Sequence, residues 1–134
     1  MRELVIVLPL FVSGWALADG PARAKQHYQL QCMGCHGEDG AGLEGQVPSL
    51  RGTLSRISSG VLGRDYVLRV PGVTQSPLSS AELAEVLNWA INEFSEAEAA
   101  KETQPFTAAE VEAARTRPLL EIGATRARVL REAQ

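Results

Sequence analysis

The sequence predicts a fold built from helices, because it contains two capping boxes and several apolar helix faces. The motifs Ser79-x-x-Glu82 and Thr107-x-x-Glu110 each place a hydroxyl and a carboxylate where they can bind the free amides of a helix start. The first box opens a predicted helix over residues 80–93, and the second opens one over residues 107–117. A last amphipathic helix is predicted over residues 119–131. The apolar residues of the first of these helices recur on one face: Leu83, Val86, Leu87, Ala90, Ile91 and Phe94.

The other elements are predicted from local pattern and glycine content. Residues 20–31 are predicted to form a helix with Tyr28 on its inward face. Residues 53–62 are weakly patterned, and residues 64–70 form either a short helix or a strand, because β-branched residues are frequent there. Residues 95–104 are acidic and rich in alanine, which predicts a frayed helix end and a linker. Residues 37–52 are predicted to be a loop whose glycines adopt positive φ and closely approach a flat object: Gly37, Gly40, Gly42, Gly45 and Gly52.

The most informative motif is Cys32-Met33-Gly34-Cys35-His36. The spacing C-x-x-C-H is typical of a covalent attachment site for haem c. Two residues between the thiols let one turn of chain present both sulfurs to one edge of a porphyrin, where they add to vinyl groups as thioethers. The adjacent His36 then offers an imidazole nitrogen to the iron as proximal ligand. The motif therefore predicts one haem c, bound through Cys32 and Cys35.

Other uses of the cysteines fit less well. A zinc site with three or four cysteines is excluded, because the chain has two cysteines and one further histidine, His27. No thiol remains for a structural disulfide. A thioredoxin-like redox pair is the remaining alternative, but it does not account for His36 or for the glycines that follow.

The N-terminus has the pattern of an export signal. Arg2 precedes an apolar run over residues 4–12, and Ala16-Leu17-Ala18 supplies the small residues that signal peptidase requires. The run is too short to cross a bilayer, so residues 1–18 are predicted to be a signal peptide that is cleaved after Ala18. An uncleaved anchor is the alternative. We expect a periplasmic protein that is not inserted in the membrane after cleavage.

Charge and composition narrow the classes of partner. The chain has a net charge of −3, and its lysines are Lys25 and Lys101. This balance argues against a basic docking surface and against nucleic acid as a partner. Aromatic residues make up 5% of the chain, so a haem would contribute usefully to its core.

Together these motifs resemble the class I c-type cytochromes. The resemblance covers roughly residues 20–94 and is carried by Cys32-x-x-Cys35-His36-Gly37, Gly40-x-Gly42, Pro48-x-Leu50-x-Gly52 and the late helix that contains Trp89. It implies an all-α fold wrapped around one covalent haem. It also implies that the Pro48 carbonyl accepts the Nδ1 proton of His36, which would orient the ring and raise its basicity.

The resemblance also suggests a domain plan and further site residues. Residues 1–18 are the signal peptide, residues 19–94 a cytochrome c-like haem domain and residues 95–134 a C-terminal helical extension. The minimal class I fold has no counterpart of residues 103–134, which either cap the core, cover the distal side of the haem or dock on a partner. Candidate donors of hydrogen bonds to the haem propionates are Arg51, Arg64 and Tyr66, although the alternative for the arginines is a solvated surface.

One departure from the family pattern concerns the sixth iron ligand. Class I cytochromes use a methionine, commonly followed by proline, whereas this chain has Val70-Pro71 near that place. Its methionines are Met1, in the signal, and Met33, between the two cysteines. His27 is a free imidazole but lies on the helix before the motif, where a surface or packing role is more common. Lysine, asparagine or a backbone atom are further alternatives.

Three functions remain open from the sequence. The first is electron transfer with a periplasmic redox partner, such as a dehydrogenase or oxidase, in which the chain is not itself an enzyme. The second is a five-coordinate haem that binds or reacts with a diatomic gas or peroxide, which the missing methionine favours. The third is a non-redox subunit that docks through residues 95–134. We expect the first, on the analogy with the family.

Overall fold

The computed structural model describes residues 20–133, so the predicted signal peptide lies outside the described residues. Within 20–133 the chain is all-α, with nine helices and no strand, and one isolated bridge joins Leu43 to Val47 in the glycine-rich loop. The helices are α1 (Gly20–Gln31), α2 (Met33–His36), α3 (Leu54–Ser58), α4 (Val61–Arg69), α5 (Pro71–Thr74), α6 (Ser80–Phe94), α7 (Ala97–Glu102), α8 (Ala108–Arg115) and α9 (Ile122–Glu132).

Helices α1 and α6 pack against each other and form the frame of the fold. The predicted helix over residues 20–31 is confirmed. The capping box of α6 is also confirmed, since the Ser79 side chain accepts from the Glu82 amide at 3.3 Å and the Glu82 carboxylate accepts from the Ser79 amide at 2.8 Å. Both boxes fix helix starts through short-range contacts, which explains why the sequence predicts them well.

An aromatic cluster fills the space between α1, α6 and the glycine-rich loop. The ring centroids of Tyr28, Trp89 and Phe94 lie 5.1 to 5.6 Å apart and meet at tilted or edge-on angles. Gly40 lies directly on this cluster, because a Cβ at that position would come within 2.9 Å of the Phe94 ring. The loop backbone therefore lies against the Phe94 ring and leaves no room for a side chain at position 40.

The middle of the chain is more helical than the sequence predicts. Residues 64–69 belong to a helix and not to a strand, since α4 runs from Val61 to Arg69. Tyr66, Val67 and Leu68 on it are all buried, so packing outweighs the β-branched composition. The weakly patterned segment before it contains α3.

The C-terminal helices belong to the same hydrophobic core as the rest. Val111 of α8 and Val129 of α9 are 0% and 2% exposed, and they share one cluster with Leu83 and Leu87 of α6. The second capping box is confirmed at Thr107, although α8 ends two residues earlier than predicted. The segment predicted as a linker contains α7, and α9 begins three residues later than predicted. Residues 103–133 thus cap the core, one of the roles that the sequence left open for this segment.

Within residues 20–133 no helix is both long enough and apolar enough to cross a bilayer.

Candidate functional site

The C-x-x-C-H motif folds into a single turn that continues from α1. The Cys32 amide donates to the Tyr28 carbonyl at 2.8 Å, and the His36 amide donates to the Cys32 carbonyl at 3.0 Å. The Tyr28 hydroxyl then donates to the Gly37 carbonyl at 2.7 Å. Burial raises the pKa of Tyr28 to about 12, so this phenol stays protonated and remains a donor. The tyrosine ahead of the motif therefore fixes the turn at both ends.

The His36 ring is oriented by the glycine-rich loop. Its Nδ1 lies 3.2 Å from the Pro48 carbonyl oxygen, which can only accept, so the proton is on Nδ1 and Nε2 keeps its lone pair. Burial lowers the pKa of His36, although the hydrogen bond to the Pro48 carbonyl acts in the opposite direction. The neutral imidazole is the form that binds iron.

A glycine allows the loop to place that carbonyl. Gly42 has a φ of 73°, and its amide donates to the His36 carbonyl at 2.8 Å. A Cβ at Gly42 would lie 2.4 Å from the Val47 carbonyl oxygen and 2.7 Å from the Pro48 carbonyl oxygen. The acceptor of the His36 proton is thus in contact with a position that only glycine fits.

Cys32, His36 and Pro48 line a cavity of about 470 Å³ whose walls come from the glycine-rich loop and from all the helices except α7 and α8. Its size is that of a typical cofactor pocket. Of the predicted site residues, Cys32, Cys35, His36, Pro48 and Tyr66 all lie on its wall. Most of the remaining wall is apolar: Leu50, Leu54, Ile57, Val67, Val70, Pro71, Val73, Val86, Leu87, Ala90, Ile122, Val129 and Leu130.

Two predicted site residues lie away from this cavity. Arg51 donates to the Asp39 carbonyl at 2.8 Å and forms an ion pair with the Asp39 carboxylate. Arg64 forms an ion pair with Glu110 at 2.7 Å and stacks 4.2 Å over the Phe106 ring. Neither arginine lines the cavity, and both already bind protein carboxylates. The structure gives both a structural role, and the predicted propionate contacts find no support in it.

The arginine that does line the cavity is Arg126 of α9, which the sequence analysis missed. The sequence gives little signal for it, because α9 carries three arginines and position 126 differs from the others only in tertiary context. His27, the other histidine, does not line the cavity. Its Nε2 lies 3.9 Å from the Glu82 carboxylate, where α1 meets α6.

The donor set on the wall fits a c-type haem. Two thiols and an imidazole with one free ring nitrogen face one apolar cavity, in the order and spacing that thioether attachment requires. The cytochrome c family profile matches residues 21–89. The chain belongs to the cytochrome c family. It therefore carries covalent haem c and belongs with the electron-transfer cytochromes of class I.

Two similar proteins extend this match. A cytochrome c-552 from Thermus thermophilus is 33% identical over 128 residues, which cover 82% of this chain and 84% of that protein. Another cytochrome c-552 from Thermus thermophilus is 33% identical over 107 residues, or 66% of this chain and 82% of that protein. The first match is too long to be confined to the first 94 residues, so part of the C-terminal segment is shared. No solved structure matches the chain significantly.

Proposed function

We propose that this cytochrome is an exported electron carrier whose haem is joined through Cys32 and Cys35 and ligated by His36. The observation that carries the proposal is the 3.2 Å contact between His36 Nδ1 and the Pro48 carbonyl. It commits one ring nitrogen to the protein and leaves Nε2 for a metal. Both thiols on the wall of the same cavity support the two thioether bonds.

The residues of the chain position and insulate the cofactor. When bound, haem supplies an iron that changes oxidation state by one electron. The Pro48 carbonyl holds the imidazole and keeps the proton on Nδ1, and the apolar wall excludes water, which limits solvent rearrangement when the charge changes. Cys35 is exposed, so the ring edge attached there would be the part most accessible to a redox partner.

Covalent attachment is tested by substitution of the motif. Cys32→Ala and Cys35→Ala, expressed with a c-type maturation system, should lose most of the haem that survives acid–acetone extraction. His36→Ala should lose most of the holoprotein. Met33→Leu is the matched control, because it changes a residue between the cysteines and leaves both thiols, and it should retain haem. Covalent haem retained in the double cysteine variant would overturn the proposal.

The sixth position of the iron is proposed to lack a sulfur ligand. Among the described residues that line the cavity there is no methionine or lysine, and His36 is the only histidine. Val70 and Pro71 line the wall where the family would place its methionine–proline pair. This observation favours a second candidate function, in which a five-coordinate haem binds or reacts with a diatomic gas or peroxide.

An optical spectrum with carbon monoxide separates the two functions. A vacant or weakly held sixth position should bind CO in the ferrous state and shift the Soret band. Val70→Met should suppress that shift and raise the reduction potential, because a thioether favours ferrous iron. His27→Ala is the control and should behave like the parent. A ferrous protein that is inert to CO until His27 is removed would instead identify His27 as sixth ligand.

The compartment and the partner are part of the same proposal. We propose a periplasmic location, with a periplasmic dehydrogenase or oxidase as redox partner and no role for nucleic acid. The export pattern at residues 1–18 supports it. Mass spectrometry of the exported protein should find Asp19 as first residue and the mass of one haem added. A product that retains the apolar run over residues 4–12 would mean a membrane-anchored cytochrome.

A further inference from the structure

We propose that Arg126 and Tyr66 together hold a haem propionate, so that the C-terminal helix α9 completes the haem site. The inference rests on the proposed haem attachment at Cys32, Cys35 and His36. It assigns a cofactor-binding residue to the C-terminal segment, beyond residue 89, where the family match ends.

Helices α4 and α9 together build one part of the cavity wall. They pack against each other, and α9 contributes Ile122, Arg126, Val129 and Leu130 to the wall. Helix α4 contributes Tyr66 and Val67, with Val70 directly after it. Val129 is 2% exposed and Tyr66 is 6% exposed, so the contact between the two helices is part of the core. The polar ends of Arg126 and Tyr66 are thus set in an apolar surface.

Arg126 has no anionic partner among residues 20–133. Five other arginines form ion pairs with carboxylates in the structure, namely Arg23, Arg51, Arg64, Arg69 and Arg117, whereas Arg126 forms neither an ion pair nor a hydrogen bond within residues 20–133. It is only partly exposed. A guanidinium on an apolar wall is well placed to bind an anion through charge-assisted hydrogen bonds.

Tyr66 and Arg126 line the same cavity, and the helices that carry them, α4 and α9, pack against each other. Burial raises the pKa of Tyr66, and the positive charge of Arg126 acts against this increase. The hydroxyl of Tyr66 makes no hydrogen bond within the described part of the chain. Two donors without acceptors in the described part of the chain, a guanidinium and a phenol, therefore line the same cavity.

A haem propionate is an anionic hydrogen-bond acceptor, the kind of partner that Arg126 and Tyr66 lack. The ring is joined by its vinyl edge to the cysteines after α1 and in α2, and its two carboxylates lie on the opposite edge. The described wall offers these carboxylates one cation, because its other polar residues are neutral amides and hydroxyls: Gln31, Gln46, Ser49 and Thr53. A guanidinium binds a carboxylate through two parallel hydrogen bonds, and the phenol can donate a third.

The other titratable groups near the pair are already engaged. His36 binds the Pro48 carbonyl, Tyr28 binds the Gly37 carbonyl, and the two cysteines become thioethers in the holoprotein. On α4, Asp65 pairs with Arg69 and Arg117, and Arg64 pairs with Glu110. On α9, Arg128 and Arg131 do not line the cavity. The charge that a propionate would meet is therefore that of Arg126.

The test is the reduction potential of the holoprotein measured as a function of pH. Removing a positive charge beside the haem favours the ferric state, so Arg126→Gln should lower the potential. Without the cation the pKa of the propionate should rise, and the potential of the variant should then fall with increasing pH where the parent is nearly flat. Tyr66→Phe should cause a smaller change of the same sign, and Arg126→Lys should restore part of the parent behaviour. Arg128→Gln is the matched control, because it removes an exposed arginine from the same helix.

Each possible result of these measurements either supports or overturns the proposed role of Arg126. Covalent haem with a potential and pH profile in Arg126→Gln equal to those of Arg128→Gln would overturn it while leaving haem attachment intact. An unchanged potential combined with a several-fold change in cyanide affinity of the ferric protein would overturn it in favour of a role toward an exogenous ligand. If Arg126→Gln accumulates no holoprotein, the reduction potentials and pH profiles of Arg126→Lys and Tyr66→Phe provide the test. Small shifts in the directions given above would support the inference, and values equal to those of the parent would overturn it. A parent protein without covalent haem would overturn both this inference and the proposed function.

Discussion

At the scale of single residues, the site depends on the contact between Gly42 and the Pro48 carbonyl. That carbonyl orients the His36 ring, and Gly42 lies against it in a left-handed conformation. Two costs would follow from a side chain at position 42: backbone strain at positive φ and a clash with the carbonyls of Val47 and Pro48. Gly45 has the same φ of 73° but open space around it, so the chain itself offers a control that separates these costs.

We predict that Gly42→Ala destabilises the holoprotein more than Gly45→Ala does. Gly45→Ala should cost about 1 kcal/mol, the strain of alanine at positive φ. Gly42→Ala should cost about 2 to 4 kcal/mol, because the clash adds to that strain. Chemical denaturation of both variants measures the difference. The Gly42 variant should also show a changed axial-ligand spectrum, since the Pro48 carbonyl must move, and equal effects at the two positions would contradict this account.

At the scale of helices, an ion pair joins α4 to the second capping box. Arg64 binds Glu110, whose carboxylate also accepts from the Thr107 amide at 2.9 Å. The same guanidinium donates to the carbonyls of Gln104 and Pro105. The hydrogen bond from Arg64 is the main cause that lowers the pKa of Glu110 to about 2. One arginine thus fixes the start of α8 on α4.

We predict that the ion pair between Arg64 and Glu110 makes the free energy of unfolding depend on pH below 4.5. Since the folded pKa of Glu110 lies below the ordinary value of 4.5, its stabilisation is complete above pH 4.5 and is lost as the pH falls toward about 2. Glu110→Gln, which keeps a capping amide, should lower the free energy of unfolding at pH 7 by about 1 kcal/mol after allowance for solvent screening. The difference from the parent should vanish near pH 2.

The control for the acid effect is Glu98→Gln. Glu98 pairs with Lys101 on the surface of α7, where both side chains are more than two-thirds exposed. Such pairs contribute little to stability, so this variant should follow the parent at every pH. If Glu110→Gln also follows the parent at every pH, the contact between Glu110 and Arg64 makes no measurable contribution to stability.

Among the helices, some can be predicted from the sequence and others cannot. The starts of α6 and α8 are encoded within four residues by capping boxes, and both were predicted correctly. Helix α3 has no such signal. It packs against α4, where Gly63 lies so close that a Cβ would come within 1.8 Å of the Ile57 carbonyl oxygen. That contact depends on the tertiary fold, and local pattern cannot predict it.

At the scale of the whole molecule, the core and the haem cavity share their residues. Eight residues of the main hydrophobic cluster also line the cavity: Leu54, Ile57, Tyr66, Val67, Val73, Leu87, Ala90 and Val129. They come from α3, α4, α5, α6 and α9. A bound haem would therefore form part of the core in which these helices meet, and the C-terminal helices contribute residues to that same core.

We predict that the chain without haem does not unfold cooperatively. An unfilled apolar cavity of about 470 Å³ removes packing from five helices at once. The Cys32→Ala, Cys35→Ala double variant should keep some helical far-ultraviolet signal, lose its near-ultraviolet signal and melt over a broad range. Met33→Leu with haem should melt sharply. A sharp transition of the haem-free variant near that of the holoprotein would contradict the prediction.

The haem site was only partly predictable, because some of its residues come together only in the fold of the whole molecule. Cys32, Cys35 and His36 lie within five residues, and the chemistry of their spacing identifies them. The contact between His36 and Pro48 spans twelve residues and was inferred from the family pattern. Arg126 and Tyr66 are sixty residues apart in sequence and reach the same cavity through the packing of α9 on α4, and no local feature distinguishes Arg126 from Arg51 or Arg64.

The shared core also determines the order of biogenesis. An attachment enzyme must reach both thiols and the imidazole, and in the finished fold these groups lie on the wall of the apolar cavity that the haem would fill. Because the haem-free chain lacks a closed core, it stays open to the enzyme until the thioethers form. Once the thioether bonds have formed, the bound haem completes the core, and the two cysteines are no longer available for the attachment reaction. We expect a chain that leaves this step without haem to keep a loosely packed core, which makes it a substrate for proteases.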